Sequence, residues 1–229
     1  MSARPSHRAI AFDAFGTLFD VYSVCELADR LFPGKGDALS QLWRTKQLEY
    51  TWLRALSDRY VGFDRITEDS LAYSARRLGL ELGDDARAQL LDQYLKLSVY
   101  PEVHEVLVEV RRSGVGLAIL SNGTPAMLAA LTRHAGLDGL FDHLLSVDTI
   151  PTYKTDFRSY QLGTRAFNLS PREIVFVSSN GWDVSGGTWF GFCTFWVNRG
   201  GLPREELGVV PDGEGSSLVD LLAFVATRQ

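Results

Sequence analysis

The chain has 229 residues, 45% of them hydrophobic, which suits one large domain or a main domain with a smaller insertion. Its formal net charge is −5, from 23 basic and 28 acidic residues. Because this balance offers no electrostatic attraction to phosphate groups, we expect neither nucleic acid nor an anionic membrane as a partner. No apolar run approaches the ~20 residues that span a bilayer, and the polar residues 1–10 lack the apolar segment of a secretory signal.

The two cysteines, Cys25 and Cys193, lie far apart in the sequence and match no zinc-binding or redox spacing. We therefore expect reduced, mostly buried thiols in a cytoplasmic protein. The four histidines show no spacing typical of a metal site or a catalytic triad, so we predict structural or surface roles for all of them.

Five short apolar segments predict buried strands of a parallel sheet. In chain order they are RAIAFDAF, which ends near Asp13, and residues 115–123, 143–150, 173–180 and 192–198. Helix-like segments separate the later strands, and residues 217–228 predict a closing helix with a polar face centred on Asp220. This alternation predicts an α/β fold, a doubly wound, Rossmann-like parallel sheet with helices on both faces.

Residues 21–98 interrupt this alternation because they are helical almost throughout. An insertion directly after the first strand suggests a helical cap domain over the active end of the sheet, with residues 1–20 and 99–229 forming the core domain. An apolar stripe recurs in the insertion at helical spacing, which predicts an apolar helix face. The stripe consists of Leu48, Trp52 and Leu56, with Leu53 and Tyr60 beside it.

Four separate segments place polar side chains at the carboxyl ends of the predicted strands, where ligands bind in open parallel sheets. These groups are Asp13, Ser121 with Asn122, Lys154, and the polar residues of 178–183. Asp13 follows a buried strand directly, Gly16 allows a sharp turn behind it, and Thr17 can donate a hydrogen bond to its carboxylate. A carboxylate held in this way can act as a covalent nucleophile, although by itself it can equally end a strand or cap a helix.

The order of these motifs resembles the haloacid dehalogenase superfamily: a strand followed by DxxGT-L, then Ser-Asn, a lone lysine and an acidic strand end. Most members of that superfamily are Mg²⁺-dependent phosphohydrolases with a second aspartate two positions after the nucleophile, where this chain has Phe15. Their further metal-binding carboxylate follows the fourth strand, where this chain has Ser178 and Ser179 and only later Asp183.

These two departures have a chemical consequence. Mg²⁺ is usually held by more than one carboxylate, or by a carboxylate and a phosphate. Phe15 cannot protonate an alkoxide leaving group, whereas a halide leaves as a stable anion and needs no proton. The sequence therefore predicts carbon–halogen cleavage without a metal or other cofactor, rather than phosphate ester hydrolysis.

Over essentially its whole length the chain resembles the L-2-haloacid dehalogenases, most specifically in the strings LWRTKQLEYTW and SSNGWD. This resemblance implies that Asp13 displaces halide from C2 of a short 2-haloalkanoic acid, and that the L-substrate becomes a D-2-hydroxyacid. It also implies a cytoplasmic homodimer. The catalytic positions that match the family are Asp13, Thr17, Arg44, Ser121, Asn122, Lys154, Tyr160, Ser178, Asn180 and Asp183.

The resemblance also implies a role for each of these groups. Arg44, with Asn122, receives the halide, while Ser121 and Lys154 hold the substrate carboxylate and the nucleophile. Asp183 orients Lys154 and the hydrolytic water, either as the base or by positioning the base. Ser178 and Asn180 act together with Asp183, and Tyr160 matches a family tyrosine near the site with a structural or orienting role. The expected walls of the substrate pocket are Ala14, Phe15, Thr45, Leu48, Phe63 and Trp182.

Two other classes of function remain open at the level of sequence. The first is a Mg²⁺-dependent phosphatase or phosphonatase, because one fold supports many chemistries. Dependence of the activity on metal distinguishes it from a dehalogenase. The second is a catalytically silent relative that serves as a binding protein, which an ester trapped on Asp13 excludes.

Overall fold

The computed structural model describes residues 7–226. Its sheet is built from six strands within this range, and all of its strand pairs are parallel. The strands are β1 (Ala9–Phe12), β2 (Gly116–Ser121), β3 (His143–Ser146), β4 (Ile174–Ser178), β5 (Cys193–Val197) and β6 (Gly213–Gly215). Their order across the sheet is β3-β2-β1-β4-β5-β6, which confirms the predicted doubly wound α/β fold.

The central strands of the sheet are buried on both faces. Every residue of β1, β4 and β5 is buried, because helices cover both sides of a parallel sheet. β1 lies between β2 and β4, with Ile10 opposite Leu117 on one side and Val175 on the other. The chain order changes direction at this point, which is where open α/β sheets bind their ligands.

Helices connect the strands and flank the sheet. Within residues 7–226 no helix is long and apolar enough to cross a membrane. The α-helices are α1 (Cys25–Leu31), α2 (Gly36–Leu56), α3 (Phe63–Arg77), α4 (Asp84–Tyr94), α5 (Val103–Arg112), α6 (Pro125–His134), α7 (Phe157–Phe167), α8 (Gly181–Phe190) and α9 (Asp220–Ala226).

Several boundaries differ from the sequence expectation. Each predicted strand is shorter in the structure, and the strand expected at 143–150 turns into a 3₁₀ helix at Val147. The glycine-rich strand β6 was not predicted, since it has no apolar side chains. The closing helix begins at Asp220, whose carboxylate accepts hydrogen bonds from the N–H groups of Ser216 and Ser217. Residues 227 and 228 of that predicted helix, and residues 1–6 of the polar N-terminal stretch, lie outside the described residues.

The helices α1 to α4 form one continuous insertion between β1 and α5. The chain leaves the sheet and returns to it at adjacent points. The Asp20 N–H donates to the Ser98 carbonyl at 2.8 Å, and the Tyr100 N–H donates to the Leu18 carbonyl at 3.2 Å. The two connections of the insertion are therefore tied together beside the end of β1.

The buried face of α2 is not the apolar stripe that the sequence indicated. Leu53 and Leu56 of that stripe are 54% and 87% exposed, and Trp52 also reaches the surface. The buried side of the helix instead carries Leu39, Ser40, Trp43, Gln47 and Thr51. Polar residues can occupy this face because they find partners there; the Gln47 amide donates to the Thr67 hydroxyl of α3, for example.

Candidate active site

Asp13 lies directly beyond β1, in a turn that aims its carboxylate into the protein. Its N–H continues the pairing with β4 by donating to the Val177 carbonyl at 2.8 Å, and the residue is only 5% exposed. Gly16 has a φ of 90°, a left-handed conformation that side chains disfavour. This turn brings Thr17 back so that its hydroxyl donates to Asp13 Oδ2 at 2.9 Å.

The two oxygens of Asp13 have different environments. Oδ2 accepts hydrogen bonds from the Thr17 hydroxyl, from Asn180 Nδ2 at 2.9 Å and from the Ser178 hydroxyl at 3.5 Å. Oδ1 accepts from Lys154 Nζ at 3.1 Å. The carboxylate is thus fixed chiefly through Oδ2, which leaves Oδ1 with fewer hydrogen bonds. We call Asp13, Thr17, Lys154, Ser178, Asn180 and Asp183 the nucleophile cluster.

Lys154 joins two buried carboxylates. Its ammonium group lies 3.1 Å from Asp13 Oδ1 and 2.8 Å from Asp183 Oδ2, and the Lys154 and Asp183 side chains are 1% and 0% exposed. The Tyr160 hydroxyl donates to Asp183 Oδ1 at 2.8 Å. Gly186 on α8 allows this approach, because a Cβ at that position would overlap the Tyr160 hydroxyl.

Burial and charge together set the protonation behaviour of this group. Burial raises the pKa of Asp183 to about 6, and the charge of Asp13 adds to this effect while Lys154 opposes it. Burial alone disfavours the ammonium form of Lys154, but the two carboxylates outweigh it and raise the pKa of the lysine. Burial and the Asp183 charge also raise the pKa of Tyr160, so that it stays a hydrogen-bond donor.

The carboxylates of Asp13 and Asp183, with Lys154 between them, do not suit a magnesium ion, the metal that the superfamily usually carries. Mg²⁺ requires several oxygen ligands in near-octahedral geometry. Here the Lys154 ammonium bridges the two carboxylates, so a second cation between them would meet its charge. Among residues 7–226 no three His, Cys, Asp or Glu side chains converge in a way that could hold a metal ion.

Ser121 and Asn122 are buried at the end of β2, next to Lys154 in space. Asn122 Oδ1 accepts the Lys154 N–H at 2.9 Å and so holds the backbone of the lysine in place. The Ser121 hydroxyl oxygen accepts the Gly123 N–H at 3.1 Å. Among the described hydrogen bonds, neither side chain reaches Asp13; Asn122 fixes the backbone at Lys154, and Ser121 fixes the turn at Gly123.

Arg44 brings helix α2 of the insertion to the nucleophile cluster. Its Nη2 donates to the Phe15 carbonyl at 3.3 Å and to Asn180 Oδ1 at 3.4 Å. Its Nη1 donates to Gln47 Oε1 at 2.9 Å. Sequence reasoning missed Gln47; its spacing of four residues from the buried Trp43 is the signal that could have found it. We call Arg44, Gln47, Thr67 and Tyr94 the arginine network.

The predicted pocket walls fall into two groups. Ala14, Phe15 and Phe63 are buried, and the rings of Phe15 and Phe63 pack with centroids 5.1 Å apart. Trp182 lines a cavity of about 510 Å³ that Lys154 also borders, and its ring meets Trp52 edge-on at 5.7 Å.

The other two predicted wall residues lie on α2, away from these contacts. Thr45 is exposed, and its hydroxyl donates to the Gln41 carbonyl of its own helix. Leu48 is partly buried, and its carbonyl accepts the Thr51 hydroxyl. No described contact joins either residue to the nucleophile cluster, so their part in the pocket stays a prediction.

Comparison with known proteins identifies the family. The family model for haloacid dehalogenase-like hydrolases matches residues 7–191. An (S)-2-haloacid dehalogenase from Pseudomonas sp. strain YL is 52% identical over 211 residues, which cover 92% of this chain and 91% of that protein. The chain belongs to the (S)-2-haloacid dehalogenase family. The resemblance that the sequence motifs suggested is thereby confirmed.

Other similar proteins fit the same family. A haloacetate dehalogenase H-2 from Moraxella sp. strain B is 44% identical over 204 residues, covering 89% of this chain and 91% of that protein. The L-2-haloacid dehalogenase from Xanthobacter autotrophicus, in a solved structure with chloropropionic acid covalently bound, is 38% identical. It superposes with a TM-score of 0.91 and covers 97% of this chain and 100% of that one. As a member of the (S)-2-haloacid dehalogenase family, the chain is an enzyme of the hydrolase class.

Proposed function

We propose that this enzyme hydrolyses the carbon–halogen bond of short L-2-haloalkanoic acids, through an ester on Asp13 and without a metal, to give D-2-hydroxyacids and halide. The observation that carries the proposal is the Lys154 ammonium, which bridges the buried Asp13 and Asp183 carboxylates. The names of the similar proteins support the substrate class, and a related structure holds chloropropionic acid covalently.

The first step is a displacement at C2 of the substrate. Asp13 Oδ1 attacks, because Oδ2 is already occupied by its three donors. A C–O bond forms, the C–X bond breaks, and its electron pair leaves with the halide. Backside attack inverts C2, and the apolar Phe15 and Phe63 beside the site keep water away from the carboxylate.

Arg44, assisted by Asn122, stabilises the halide as negative charge develops on it. The guanidinium lies beside the nucleophile cluster through its contacts with Phe15 and Asn180. A fixed cation aimed at developing charge lowers the barrier most when it is already in place before the reaction. Ser121 and Lys154 hold the substrate carboxylate, and Lys154 already lies beside Asp13 Oδ1.

The second step is hydrolysis of the ester. Water attacks the carbonyl carbon of Asp13, and its proton passes to Asp183, a carboxylate that burial makes more basic than an exposed one. The negative charge that forms on Oδ2 is stabilised by Thr17, Ser178 and Asn180, which already donate to that atom. The bond from the acyl carbon to the ester oxygen then breaks, and the alkoxide takes the proton to leave as the 2-hydroxyacid.

Three further features belong to this proposal. Residues 21–98 act as a cap over the site, because Arg44 reaches the core from α2. The remaining pocket walls are Ala14, Thr45, Leu48 and Trp182. The enzyme is a cytoplasmic homodimer, as in the resemblance described above. Light scattering coupled to size-exclusion chromatography measures the oligomeric state directly. A monomer would contradict the homodimer and leave the rest of the proposal unchanged.

Halide release from the separate enantiomers of 2-chloropropionate, in the presence of EDTA, tests the function. We expect release from the L-form only, and none from Asp13→Asn. Asp92→Asn, which changes an exposed aspartate on α4, is the matched control and retains activity. Phosphate release from a phosphate ester with Mg²⁺, in the absence of halide release, would replace this proposal by the phosphatase alternative.

A further inference from the structure

Gln47 is completely buried, yet the mechanism above does not use it. It lies three residues after Arg44 on α2, and its side-chain amide makes three hydrogen bonds. Its Oε1 accepts from Arg44 Nη1 and from the Tyr94 hydroxyl, both at 2.9 Å. Its Nε2 donates to the Thr67 hydroxyl at 2.8 Å. Both ends of the amide are therefore occupied.

The partners of Thr67 determine which way the amide points. The Thr67 hydroxyl has a single proton, which it donates to the Phe63 carbonyl at 2.7 Å. Towards Gln47 this hydroxyl can only accept, so the NH₂ group of the amide faces Thr67. The carbonyl oxygen of Gln47 must then face Arg44 and Tyr94. The arginine network thus fixes an oxygen, rather than a donor, against the guanidinium.

The charge of Arg44 is left uncancelled by this arrangement. Its three hydrogen-bond acceptors, the Phe15 carbonyl, the Asn180 amide and the Gln47 amide, are all neutral. Among the ion pairs between residues 7–226, none includes Arg44. A glutamate at position 47 would also accept from the guanidinium but would neutralise its charge. A neutral amide holds it and keeps the full charge available to an anion.

We propose that Gln47 is a positioning residue for the halide. Fixed by Tyr94 and Thr67, it orients the Arg44 guanidinium towards the departing anion without reducing its charge. This inference rests on the proposed function, since it assigns Gln47 to the displacement step. It makes no claim on ester hydrolysis, which takes place at the nucleophile cluster, where Gln47 has no described contact.

The experiment compares the two chemical steps in wild type, Gln47→Leu, Gln47→Glu and Thr51→Val. Thr51 lies on the same buried face of α2, one turn further on, and its hydroxyl donates to the Leu48 carbonyl of its own helix. Rapid-quench single turnovers with L-2-chloropropionate and L-2-bromopropionate give the rate of ester formation and the rate of ester hydrolysis. Chloride affinity is measured separately by ³⁵Cl NMR line broadening.

We expect Gln47→Leu to slow ester formation roughly 10- to 100-fold, the scale of a displaced catalytic group, with little change in ester hydrolysis. The loss should be larger for chloride than for bromide, because the poorer leaving group depends more on stabilisation of its charge. Gln47→Glu preserves the size of the side chain but exchanges the donor that faces Thr67 for an acceptor and places a negative charge beside Arg44, and it should weaken chloride binding by a similar factor. Thr51→Val should resemble wild type in all three measurements.

Equal slowing of both steps by Gln47→Leu, or a matching effect of Thr51→Val, would assign Gln47 to folding alone. Unchanged chloride affinity in Gln47→Leu and Gln47→Glu would also overturn the proposal. If the wild type releases no halide from either substrate, the proposed function fails by itself. The chloride titration then still decides the role of Gln47, since it requires no turnover.

Discussion

The nucleophile cluster and the arginine network treat charge in opposite ways. In the nucleophile cluster the Lys154 ammonium is shared by two carboxylates, so charges are compensated by charges at distances of 2.8 and 3.1 Å. In the arginine network the Arg44 guanidinium is held by neutral oxygens of Gln47, Asn180 and Phe15. One cation is therefore paired in the resting enzyme, and the other is free to meet an anion.

This difference follows the two halves of the proposed reaction. The carboxylate that attacks must exist as a buried anion before substrate arrives, and a buried anion needs a nearby cation. The halide ion forms only during the displacement, so the Arg44 guanidinium that binds it has no charged partner in the resting enzyme. The core sheet supplies the first arrangement, and a helix of the insertion supplies the second.

Removing the shared cation should have the largest effect. Lys154→Met leaves Asp13 and Asp183 buried without compensation, and the loss of one partner of a buried ion pair costs about 3–5 kcal/mol of stability. We expect a lower urea midpoint and no detectable dehalogenation at any pH between 5 and 9. Lys96→Met, which removes a lysine from the exposed ion pair with Asp92, provides the comparison and should unfold at the wild-type midpoint. A stable, active Lys154→Met enzyme would remove the basis of the account.

Removing the unpaired cation should act on one step only. Arg44→Met keeps most of the side-chain volume, and loss of a group that stabilises developing charge slows a reaction roughly 10²- to 10³-fold. Rapid-quench measurements should locate this loss in ester formation. Arg54→Met, on the same helix but paired with Asp69, should leave ester formation unchanged. Loss in the hydrolysis step instead would mean that Arg44 does not receive the halide.

The pH dependence of ester hydrolysis should follow the ionisation of the Asp183 carboxyl group. Its pKa is raised to about 6 in the folded enzyme, above its ordinary value of 3.8, so the carboxyl is protonated below this pH and ionised above it. In the ester intermediate Asp13 carries no charge, so its part of this increase is lost and the pKa of Asp183 lies below its resting value. Because the base must be ionised, the hydrolysis rate should fall about tenfold per pH unit below that pKa. Stopped-flow or rapid-quench profiles between pH 3.5 and 8 measure this acidic limb. A rate independent of pH across this range would exclude Asp183 as the base.

Tyr160→Phe should have the smallest effect. The hydrogen bond from Tyr160 lowers the pKa of Asp183, so its removal should move the acidic limb of the hydrolysis profile to higher pH. The rate on the plateau should change little. Tyr153→Phe removes a hydroxyl that donates to the Val61 carbonyl instead, and should leave the limb where it is in the wild type. A shift in Tyr153→Phe alone would contradict the assignment of Tyr160.

The residues of the nucleophile cluster could be predicted from the sequence, and the reason is physical. Asp13, Lys154 and Asp183 belong to segments that follow the strands β1, β3 and β4, and parallel strands bring their carboxyl ends to one edge. Local patterns therefore carried long-range information. The prediction that the segment 143–150 is a buried strand was wrong in part, because Leu144 of β3, a strand at the edge of the sheet, is 41% exposed. The strand β6 escaped because three residues, Gly213–Gly215, have no apolar alternation to recognise.

The arginine network of the inserted helices was harder to predict from the sequence. The buried face of α2 carries Gln47, whose partners Thr67 and Tyr94 come from other helices, 20 and 47 residues away. Hydrophobic periodicity cannot reveal a buried polar residue whose partners are set by the tertiary fold. The same periodicity indicated the stripe at Leu53 and Leu56, which the structure places at the surface.

The covalent ester on Asp13 is the central claim, and isotope labelling tests it most directly. A single turnover of L-2-chloropropionate in H₂¹⁸O, with enzyme in excess, is followed by mass spectrometry of the product and of the peptide that contains Asp13. We expect ¹⁸O in the Asp13 carboxylate and unlabelled oxygen in the hydroxyl group of the product, because water attacks the acyl carbon of Asp13 and the ester oxygen leaves with the product. Label in the product hydroxyl, with none in Asp13, would show that water attacks C2 directly and would contradict the account.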